Sequence, residues 1–523
     1  MPEASEPRKP QGYAGPKNPQ KKPRSKASPA RLAALDVVRA VRERDAFAQD
    51  VIGTRIDRSD LSSEDRAFAT KLALGVVSST GTLDEIIDRA LNAPSDVKPD
   101  VRDALRVSAY EIVFLGKTPH AAVDQGVELV RSFAMSASGL ANAVLRKIVL
   151  MRQAFPFGDP MRDPEALARL HAFPLWLARK LIADLGPQEA LDFMRASNEQ
   201  APLFVAVNAA KTTDEALVKA FDKLDEGLDP VSVDGVDVAG CYRVLDTRAL
   251  LLPEVKRMFS QGKILVTDAA SQLVAASVLP ERKPSSLLEV GAGRATKTIL
   301  LQSDATRAYG SQLVLSTLDN HAFKTRLLLE RAERYGAEVA EALTGDALEL
   351  DAVVGDRAFD EVFIDAPCSG LGTLRRHPEI RWRIKPADIA EFARVQLGML
   401  QSAAPHVALG GTLAYATCTV TREENNGVVK AFLESEAGAG FKLAPVNGRS
   451  CVATRLSPGS SDAHFAVRFE RIASSLLARG AARPSQRRFG RRMEGRVCGF
   501  AAPRLRRRRS CRPRSRSIAP SNG

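Results

Sequence analysis

Residues 287–293 read Leu-Leu-Glu-Val-Gly-Ala-Gly, a short apolar run that ends in a glycine-bearing turn. The run predicts a buried strand, and the residues after the glycines predict a helix. Glycine lets the backbone approach a ligand, and the start of a helix offers N–H groups that have no partner within the helix. The stretch is therefore typical of a nucleotide or S-adenosylmethionine site, although Gly-x-Gly after a strand is often only a tight turn.

Strands and helices alternate around this stretch, from residue 264 to residue 471. We predict strands near 287–290, 312–318, 338–343, 360–365, 411–416 and 465–470, with helices between them. Alternation at this spacing favours a parallel or mostly parallel sheet covered by helices. The C-terminal half is therefore predicted to be an α/β Rossmann-like domain over 261–473.

Acidic residues follow three of the predicted strands. Glu289 lies at the end of the first, Asp319 closes the second and Asp346 follows the third. A carboxylate after the second strand can accept hydrogen bonds from both ribose hydroxyls of a nucleoside, and one after the third can contact the adenine edge. Three acids in this order indicate a nucleoside-containing cofactor more strongly than the glycines alone.

Two cysteines follow two later strands. Asp365-Ala-Pro-Cys368-Ser-Gly ends one strand, and Tyr415-Ala-Thr-Cys418-Thr ends the next. Because the carboxyl ends of parallel strands face one crevice, we expect the two thiols to lie close together. Buried cysteines usually act only as small apolar side chains, but these two stand in turn-rich segments beside Asp, Ser and Thr. The pattern therefore favours a chemical role.

The N-terminal half has a different character. Apolar residues at helical spacing over 31–152, without a strand pattern, predict an all-α domain of at least five helices. Mixed helical and extended patterns over 160–260 predict linker helices and a small α+β subdomain. Residues 1–30 are rich in Pro, Lys and Arg, and residues 474–523 are rich in Arg, so both segments are expected to be disordered basic tails.

The formal net charge of +13 lies in the tails. Residues 1–31 carry +6 and residues 474–523 carry +14, which leaves −7 for residues 32–473. Nucleic acid is the simplest partner for so basic a chain, but a basic folded body does not follow from the total. For the Arg-rich tail, a role in nucleic-acid binding, a dispensable segment and a reading-frame artefact all stay open.

Several segments resemble the RNA cytosine-5 methyltransferases of the Nol1/Nop2/Sun family. Those in the C-terminal half are DAPCSGLGTLRRHPEIRW (365–382), ATCTVTREEN (416–425) and TDAASQLVA (267–275). Two segments of the N-terminal half resemble a NusB-type RNA-binding domain: HAAVDQGVELVR (120–131) and GLANAVLRKI (139–148). Two further segments resemble the linker and subdomain that join these parts: HAFPLWLARKL (171–181) and NEQAPLFVAVN (198–208). The resemblance covers about residues 31–471.

The resemblance implies a multidomain enzyme with an all-α NusB-like domain, a small α+β subdomain and an α/β Rossmann-like methyltransferase domain. It implies transfer of a methyl group from S-adenosyl-L-methionine to C5 of a cytosine in small-subunit ribosomal RNA. By this resemblance, Cys418 of the Thr-Cys motif is the nucleophile, Cys368 assists product release, and Asp365 holds the cytosine edge. DNA cytosine methyltransferases use the cysteine of a Pro-Cys motif instead, so the Thr-Cys motif favours the RNA family.

The resemblance also implies where the cofactor binds. The residues expected to hold it are Gly291, Ala292, Gly293, Arg294, Ala295, Thr296, Lys297, Asp319, Asp346 and Asp365. The family's loop usually reads Cys-Ala-Ala-Pro-Gly-Gly-Lys-Thr, whereas this chain reads Gly-Ala-Gly-Arg-Ala-Thr-Lys-Thr over 291–298. If the family's two glycines take positive φ, Ala295 and Thr296 are expected to be strained.

A basic cluster follows Cys368 in the chain. Its members predicted to bind RNA are Arg375, Arg376, His377, Arg381 and Trp382, with Arg383 beside them. Arginine side chains hold phosphates, and an aromatic ring can stack on a base. A surface helix cap with ordinary salt bridges is the alternative interpretation.

Composition excludes several other classes of protein. Six cysteines in 523 residues do not make a disulfide scaffold, no run of 18 apolar residues predicts a membrane span, and no Cys/His spacing suggests zinc. We expect a cytoplasmic monomer without a metal. Two other functions stay open: a non-catalytic RNA-binding or ribosome-assembly factor with a degenerate cofactor loop, and a transfer RNA cytosine-5 methyltransferase.

Overall fold

The computed structural model describes residues 26–222 and 227–472. The predicted tail at 474–523 and residues 1–25 of the predicted leader lie outside this range. The chain forms two compact units. A helical unit runs to Ala178 and includes Arg376–Trp382, and the second unit contains the two sheets.

The helical unit confirms the all-α prediction for the N-terminal part of the chain. Its helices are α1 (Pro29–Arg44), α2 (Ala48–Arg55), α3 (Ser63–Ser78), α4 (Thr80–Ala90), α5 (Pro99–Val113), α6 (Pro119–Arg131), α7 (Ser138–Met151) and α8 (Pro164–His171). Helix α3 has a side-chain cap, because the Ser62 hydroxyl accepts a hydrogen bond from the backbone N of Asp65 at 3.1 Å.

Buried ion pairs join α1 to α5 inside an otherwise apolar core. Asp103, which is fully buried, contacts Arg42 Nε at 2.8 Å and Arg106 Nη1 at 2.7 Å. Glu111 is 1% exposed and accepts from Arg31 Nη2 at 2.6 Å. A buried carboxylate is tolerated only when it is paired in this way, so these pairs specify how the two helices meet.

The segment Arg376–Trp382 packs within the helical unit. Trp382 Nε1 donates to the carbonyl O of Ser78 at 2.8 Å. A Cβ at Gly81 would overlap the Trp382 ring, so α4 needs a glycine at that position. Arg381 is fully buried, and its guanidinium lies 4.4 Å from the centre of the Phe173 ring.

The second unit begins with a small sheet flanked by helices, which confirms the predicted α+β subdomain. The boundary between the units falls within α9. The elements are α9 (Leu175–Leu185), α10 (Pro187–Ala196), β1 (Leu203–Val207), α11 (Asp214–Phe221), β2 (Leu228–Val233), β3 (Val236–Val244), α12 (Pro253–Ser260) and β4 (Ile264–Val266). The strand order is β2-β3-β1-β4, with every described pairing antiparallel.

The larger sheet confirms the predicted α/β domain. In chain order, the elements from residue 269 on are α13 (Ala269–Val278), β5 (Leu287–Val290), α14 (Thr296–Tyr309), β6 (Leu315–Asp319), α15 (Ala322–Tyr335), β7 (Glu341–Thr344), α16 (Leu350–Val354), β8 (Phe359–Asp365), α17 (Ile380–Arg383), α18 (Pro386–Ala403), β9 (Val407–Thr417), α19 (Val428–Glu434), β10 (Phe441–Ala444), β11 (Val452–Ala453) and β12 (Phe465–Arg471). They belong to the second unit, except that α17 lies in the helical unit as far as Trp382. The order is β10-β12-β9-β8-β5-β6-β7, with β11 beside β12.

The order of the strands locates a crevice. Strands β7, β6, β5, β8 and β9 are parallel. The chain adds β6 and β7 on one side of β5 and then β8 and β9 on its other side, so the strand order reverses between β5 and β8. Ligands bind open α/β sheets at the carboxyl ends of the strands at such a switch point. The loops after β5, β8 and β9 therefore form the candidate site.

Among the residues that the structure describes, no helix has the length and apolar character needed to cross a bilayer. Within the same residues, no group of three or more His, Cys, Asp or Glu side chains is arranged to hold a metal ion.

Candidate active site

The loop after β5 is a tight turn that only glycine can make at its first position. Gly291 has φ +84°, and a Cβ there would overlap the carbonyl O of Asp365. Gly293 has φ +56°, but a Cβ there would meet only open space beyond the loop's own backbone. The turn thus brings the ends of β5 and β8 into contact and leaves its outer side accessible to a ligand.

The expected strain in this loop is present at one of the two positions. Ala295 is buried and has φ +64°, the left-handed region that favours glycine. Thr296 is the first residue of α14 and does not have positive φ, so the prediction for Thr296 is wrong. Helix α14 begins at Thr296, directly after Ala295, so Thr296 has a helical and not a left-handed backbone. Arg294, between the two bends, is exposed.

The acids at the strand ends differ in burial. Glu289 is fully buried, accepts from Thr298 Oγ1 at 2.7 Å, and burial raises its pKa to about 8. Asp319 is 7% exposed, and its carboxylate accepts from the backbone N of Gly293 at 3.1 Å. Asp346 is exposed after β7. Asp319 is therefore hydrogen-bonded to the glycine loop near the surface, whereas the buried Glu289 joins β5 to the start of α14 through Thr298.

Lys297 and Asp365 form an ion pair between α14 and the end of β8. The Lys297 Nζ atom lies 2.7 Å from Asp365 Oδ2, and Lys297 is 8% exposed. Burial lowers the pKa of Lys297, but the charge and hydrogen bond of Asp365 outweigh it, so the pKa is raised overall. Lys297 is therefore a fixed cation beside Asp365, and the predicted contact of both residues with a cofactor stays a prediction.

The two cysteines meet as expected from their places at the ends of β8 and β9. Their Sγ atoms lie 3.0 Å apart, and the backbone N of Cys418 donates to Cys368 Sγ at 3.3 Å. The hydrogen bond with Cys418 and burial raise the pKa of Cys368 well above its usual range. Cys368 therefore keeps its proton at neutral pH, beside the Sγ atom of Cys418.

A buried carboxylate that the sequence analysis did not single out holds the two cysteine loops together. Glu424 is fully buried and accepts from the backbone N of Ser369 at 2.8 Å and from Ser369 Oγ at 2.6 Å. On the other loop it accepts from Thr421 Oγ1 at 2.7 Å and Thr419 Oγ1 at 3.2 Å. The acid six residues after Cys418 was visible in the sequence, but its partners depend on the sheet.

The structure does not support the predicted RNA-binding role of Arg375 and Arg381. The side chain of Arg375 is buried against Asp462, with Nη2 2.9 Å from Oδ1, and it also donates to the carbonyl O of Ser460 at 2.8 Å. Burial lowers the pKa of Arg381 to about 9, partly offset by the charge of Glu379. Both guanidinium groups are taken up by protein partners and do not offer a phosphate-binding surface.

The other members of the predicted cluster are also packed against protein. Trp382 donates its indole N–H to the carbonyl O of Ser78, and the ring of His377 lies edge-on to Phe47 with 5.1 Å between ring centres. Arg376 is half-buried. Arg375 belongs to the second unit and Arg376–Trp382 to the helical unit, so these residues do not form one continuous patch within either unit.

Comparison with known protein families assigns each part of the chain. The family described as 16S rRNA methyltransferase RsmB/F matches residues 276–466. The NusB family matches residues 28–150, and the ferredoxin-like domain of RsmF/B-like methyltransferases matches residues 173–239.

Full-length relatives agree with these matches. The probable ribosomal RNA small subunit methyltransferase B of Bacillus subtilis is 31% identical over 415 residues, which cover 78% of this chain and 89% of the relative. A putative methyltransferase of Mycobacterium tuberculosis is 32% identical over 77% of this chain and 86% of its own length. The crystal structure of PH0851 shares the fold, with a TM-score of 0.69 and 23% identity over 85% of this chain and 99% of that chain. The chain therefore belongs to the RsmB/F family of 16S rRNA methyltransferases, with a NusB domain at its N-terminal side.

Proposed function

We propose that this protein transfers a methyl group from S-adenosyl-L-methionine to C5 of a cytosine in small-subunit ribosomal RNA, through a covalent bond between Cys418 and C6 of the base. The observation that carries the proposal is the pair of thiols 3.0 Å apart at the ends of β8 and β9, beside the Lys297–Asp365 ion pair. A half-buried thiol, Cys368, that keeps its proton beside a second thiol suits a reaction in which that second sulfur forms and then breaks a bond to carbon.

The residues after β5 and β6 fit the proposed cofactor. The turn at Gly291 and Gly293 leaves open space over the loop, and Asp319 is bonded to the loop by the backbone N of Gly293. A carboxylate in that position suits ribose hydroxyls, and Asp346 is exposed one strand further along the sheet. S-adenosylmethionine bound there would supply an electrophilic methyl group on a sulfonium centre.

The two thiols and the ion pair have separate tasks in this mechanism. The Cys418 sulfur uses an electron pair to form a bond with C6, which gives C5 the nucleophilic character of an enamine carbon. Asp365 is placed to accept a hydrogen bond from the cytosine N3/N4 edge, and the Lys297 charge holds it there. With a methyl group on C5, the C5 proton would leave to water and its bonding electron pair would restore the C5–C6 double bond, while the Cys418–C6 bond breaks with its electron pair returning to sulfur. Cys368 holds a proton 3.0 Å away, where it can stabilise that sulfur.

Two cysteine variants test the proposal with small-subunit ribosomal RNA free of protein and with S-adenosylmethionine. We expect Cys418→Ala to lower methylation by at least about 1,000-fold while RNA binding is retained, because it removes the nucleophile. We expect Cys368→Ala to accumulate a protein–RNA adduct that survives denaturing electrophoresis. Cys241→Ala is the control, since Cys241 is a buried free thiol of the small subdomain.

Mapping of 5-methylcytosine in the RNA product identifies the reaction. Full methylation by Cys418→Ala would contradict the nucleophile assignment. Methylation of transfer RNA in place of ribosomal RNA would favour the alternative substrate, and failure of the purified protein to bind S-adenosylmethionine would favour a non-catalytic RNA-binding factor.

A further inference from the structure

His464 lies directly before the strand that pairs with the strand of Cys418. Strands β12 and β9 are antiparallel, with Phe465 opposite Thr417 and Ala466 opposite Ala416. Continuing that register by one residue places His464 opposite Cys418. Residues directly opposite in an antiparallel pair have Cβ atoms about 5 Å apart, although the backbone of Gly372 enters between the strands just beyond this point.

The alternation of side chains places both residues on the same face of the sheet. Ala416 and Ala466 belong to the core cluster that contains Ala295 of the cofactor loop. Thr417 and Phe465 point to the other face, where Phe465 joins a different cluster. By alternation, Cys418 and His464 follow Ala416 and Ala466 toward the side of the loop and of α14, which carries Lys297.

The ring of His464 is buried and neutral. His464 is 7% exposed, and among the described residues its Nδ1 atom has no hydrogen-bond partner. Burial and the charge of Lys297 lower the pKa of His464, while the charges of Asp268, Asp462 and Asp365 oppose this. The imidazole therefore carries no proton on one of its nitrogens at neutral pH.

A small cavity joins His464 to the loop that follows Cys418. Its volume is about 30 Å³, enough for about one water molecule, and it is lined by Thr419, Val420, Thr421 and His464 among others. One water in this cavity would connect the ring with the loop that follows Cys418, which gives a proton a path between them.

The other titratable groups near Cys418 are already protonated or already accept hydrogen bonds from other residues. Lys297 is protonated, and Asp365 accepts its hydrogen bond. Glu424 accepts hydrogen bonds on both oxygens, from Ser369 on the Cys368 loop and from Thr421 on the Cys418 loop. Cys368 keeps its proton.

We propose that His464 is the catalytic base that removes the thiol proton of Cys418, an inference that rests on the proposed role of Cys418 as nucleophile. The S–H bond breaks, the proton is taken up on the free ring nitrogen, and the electron pair left on sulfur forms the bond to C6. The carboxylates of Asp268 and Asp462 favour the imidazolium that results, because their charges raise the pKa of His464.

The alkylation rate of Cys418 by iodoacetamide tests this without RNA or cofactor. Trypsin separates the two thiols, because residues 395–422 contain only Cys418 and residues 358–375 contain only Cys368. The full chain is alkylated for a fixed time between pH 5.5 and 9.5, and each peptide is quantified by mass spectrometry. In the unaltered protein, we expect the Cys418 peptide to react at least about tenfold faster than the Cys368 peptide at pH 7.

The decisive variant is His464→Phe, which keeps an aromatic ring and removes the base. We expect alkylation of Cys418 at pH 7 to fall about tenfold and the pH of half-maximal rate to rise by about one unit. His406→Phe is the matched control, since His406 is also buried but lies just before the other end of β9. If His464→Phe does not fold by circular dichroism, His464→Gln takes its place as a polar side chain that cannot be protonated.

An unchanged rate and pH profile of Cys418 in the folded variant would overturn the inference. So would an equal loss of rate in His406→Phe, which would indicate a general structural effect. A failure of the proposed function is distinguishable, because it would appear as methylation by Cys418→Ala and not as a change in alkylation.

Discussion

The loops after β8 and β9 and the segment Arg375–Trp382 are both dense in polar side chains, yet the fold uses them in opposite ways. In the first region the fold brings two thiols, an ion pair and a buried glutamate to one point of the sheet. In the second, it distributes arginines between two units and buries two of them against protein. The carboxyl ends of neighbouring parallel strands always lie at the same edge of the sheet. No comparable geometric rule decides which side chains of a basic segment are exposed to solvent.

Of the substitutions that test this comparison, we expect the largest effect from Glu424, which joins the loops after β8 and β9. We expect Glu424→Gln to reduce methylation at least about 100-fold and to lower the free energy of unfolding by about 3 kcal/mol, because an amide nitrogen would face the donors that one carboxylate oxygen now accepts. Methylation of ribosomal RNA and thermal unfolding of the full chain measure the two effects.

The neighbouring acid supplies the control for that variant. Glu423 is about half exposed and pairs with Lys180 at 2.6 Å, so Glu423→Gln should change stability by less than about 1 kcal/mol. Equal behaviour of the two variants would contradict the role of Glu424 in joining the cysteine loops.

The next effect concerns the basic segment. We expect Arg381→Ala to lower the stability of the helical unit by about 3 kcal/mol, because it empties a fully buried site over the Phe173 ring. The slope of log Kd for RNA against log salt concentration should stay the same, since a buried guanidinium neutralises no phosphate.

Arg394→Ala is the matched control, because Arg394 is 68% exposed and pairs only on the surface with Glu391. It should leave unfolding unchanged within about 0.5 kcal/mol. A stable Arg381→Ala protein with a salt slope smaller by about one would restore the RNA-binding interpretation and remove the contrast between the two regions.

The smallest effect tests the packing of Trp382. Gly81 and Gly139 are each the second residue of a helix, α4 and α7. A Cβ at Gly81 would overlap the Trp382 ring, whereas one at Gly139 would meet open space. We expect Gly81→Ala to cost about 2 kcal/mol and Gly139→Ala to be neutral or stabilising by up to about 1 kcal/mol.

Hydrogen exchange of peptides from the helical unit measures both substitutions at once. Faster exchange in α3 and α4 should follow Gly81→Ala alone. Similar exchange in the two proteins would mean that Trp382 can leave its place beside Ser78 at little cost.

Local patterns in the sequence were sufficient to predict the fold class and the meeting of the two cysteines. The glycine turn after β5 and the placement of Cys368 and Cys418 after strands each depend on a few adjacent residues. The two short strands β10 and β11 were not predicted, since four and two residues carry too little pattern.

Contacts between distant residues explain what the sequence could not predict. Arg381 packs on Phe173, and Trp382 bonds to Ser78, which precedes it by 304 residues. The partners of Glu424 and the surroundings of His464 likewise come from separate strands. A side chain's burial in such cases follows from the folded sheet and is not encoded in its neighbours along the chain.

The left-handed alanine at position 295 has a consequence for how freely this loop can vary in evolution. An alanine at φ +64° costs about 1 kcal/mol relative to glycine, while its buried methyl group contributes about 0.8 kcal/mol. The two contributions nearly cancel. Alanine and glycine codons differ by a single base, so one nucleotide change can exchange them at almost constant stability. Searches that require particular letters here would therefore miss relatives whose backbone takes the same turn.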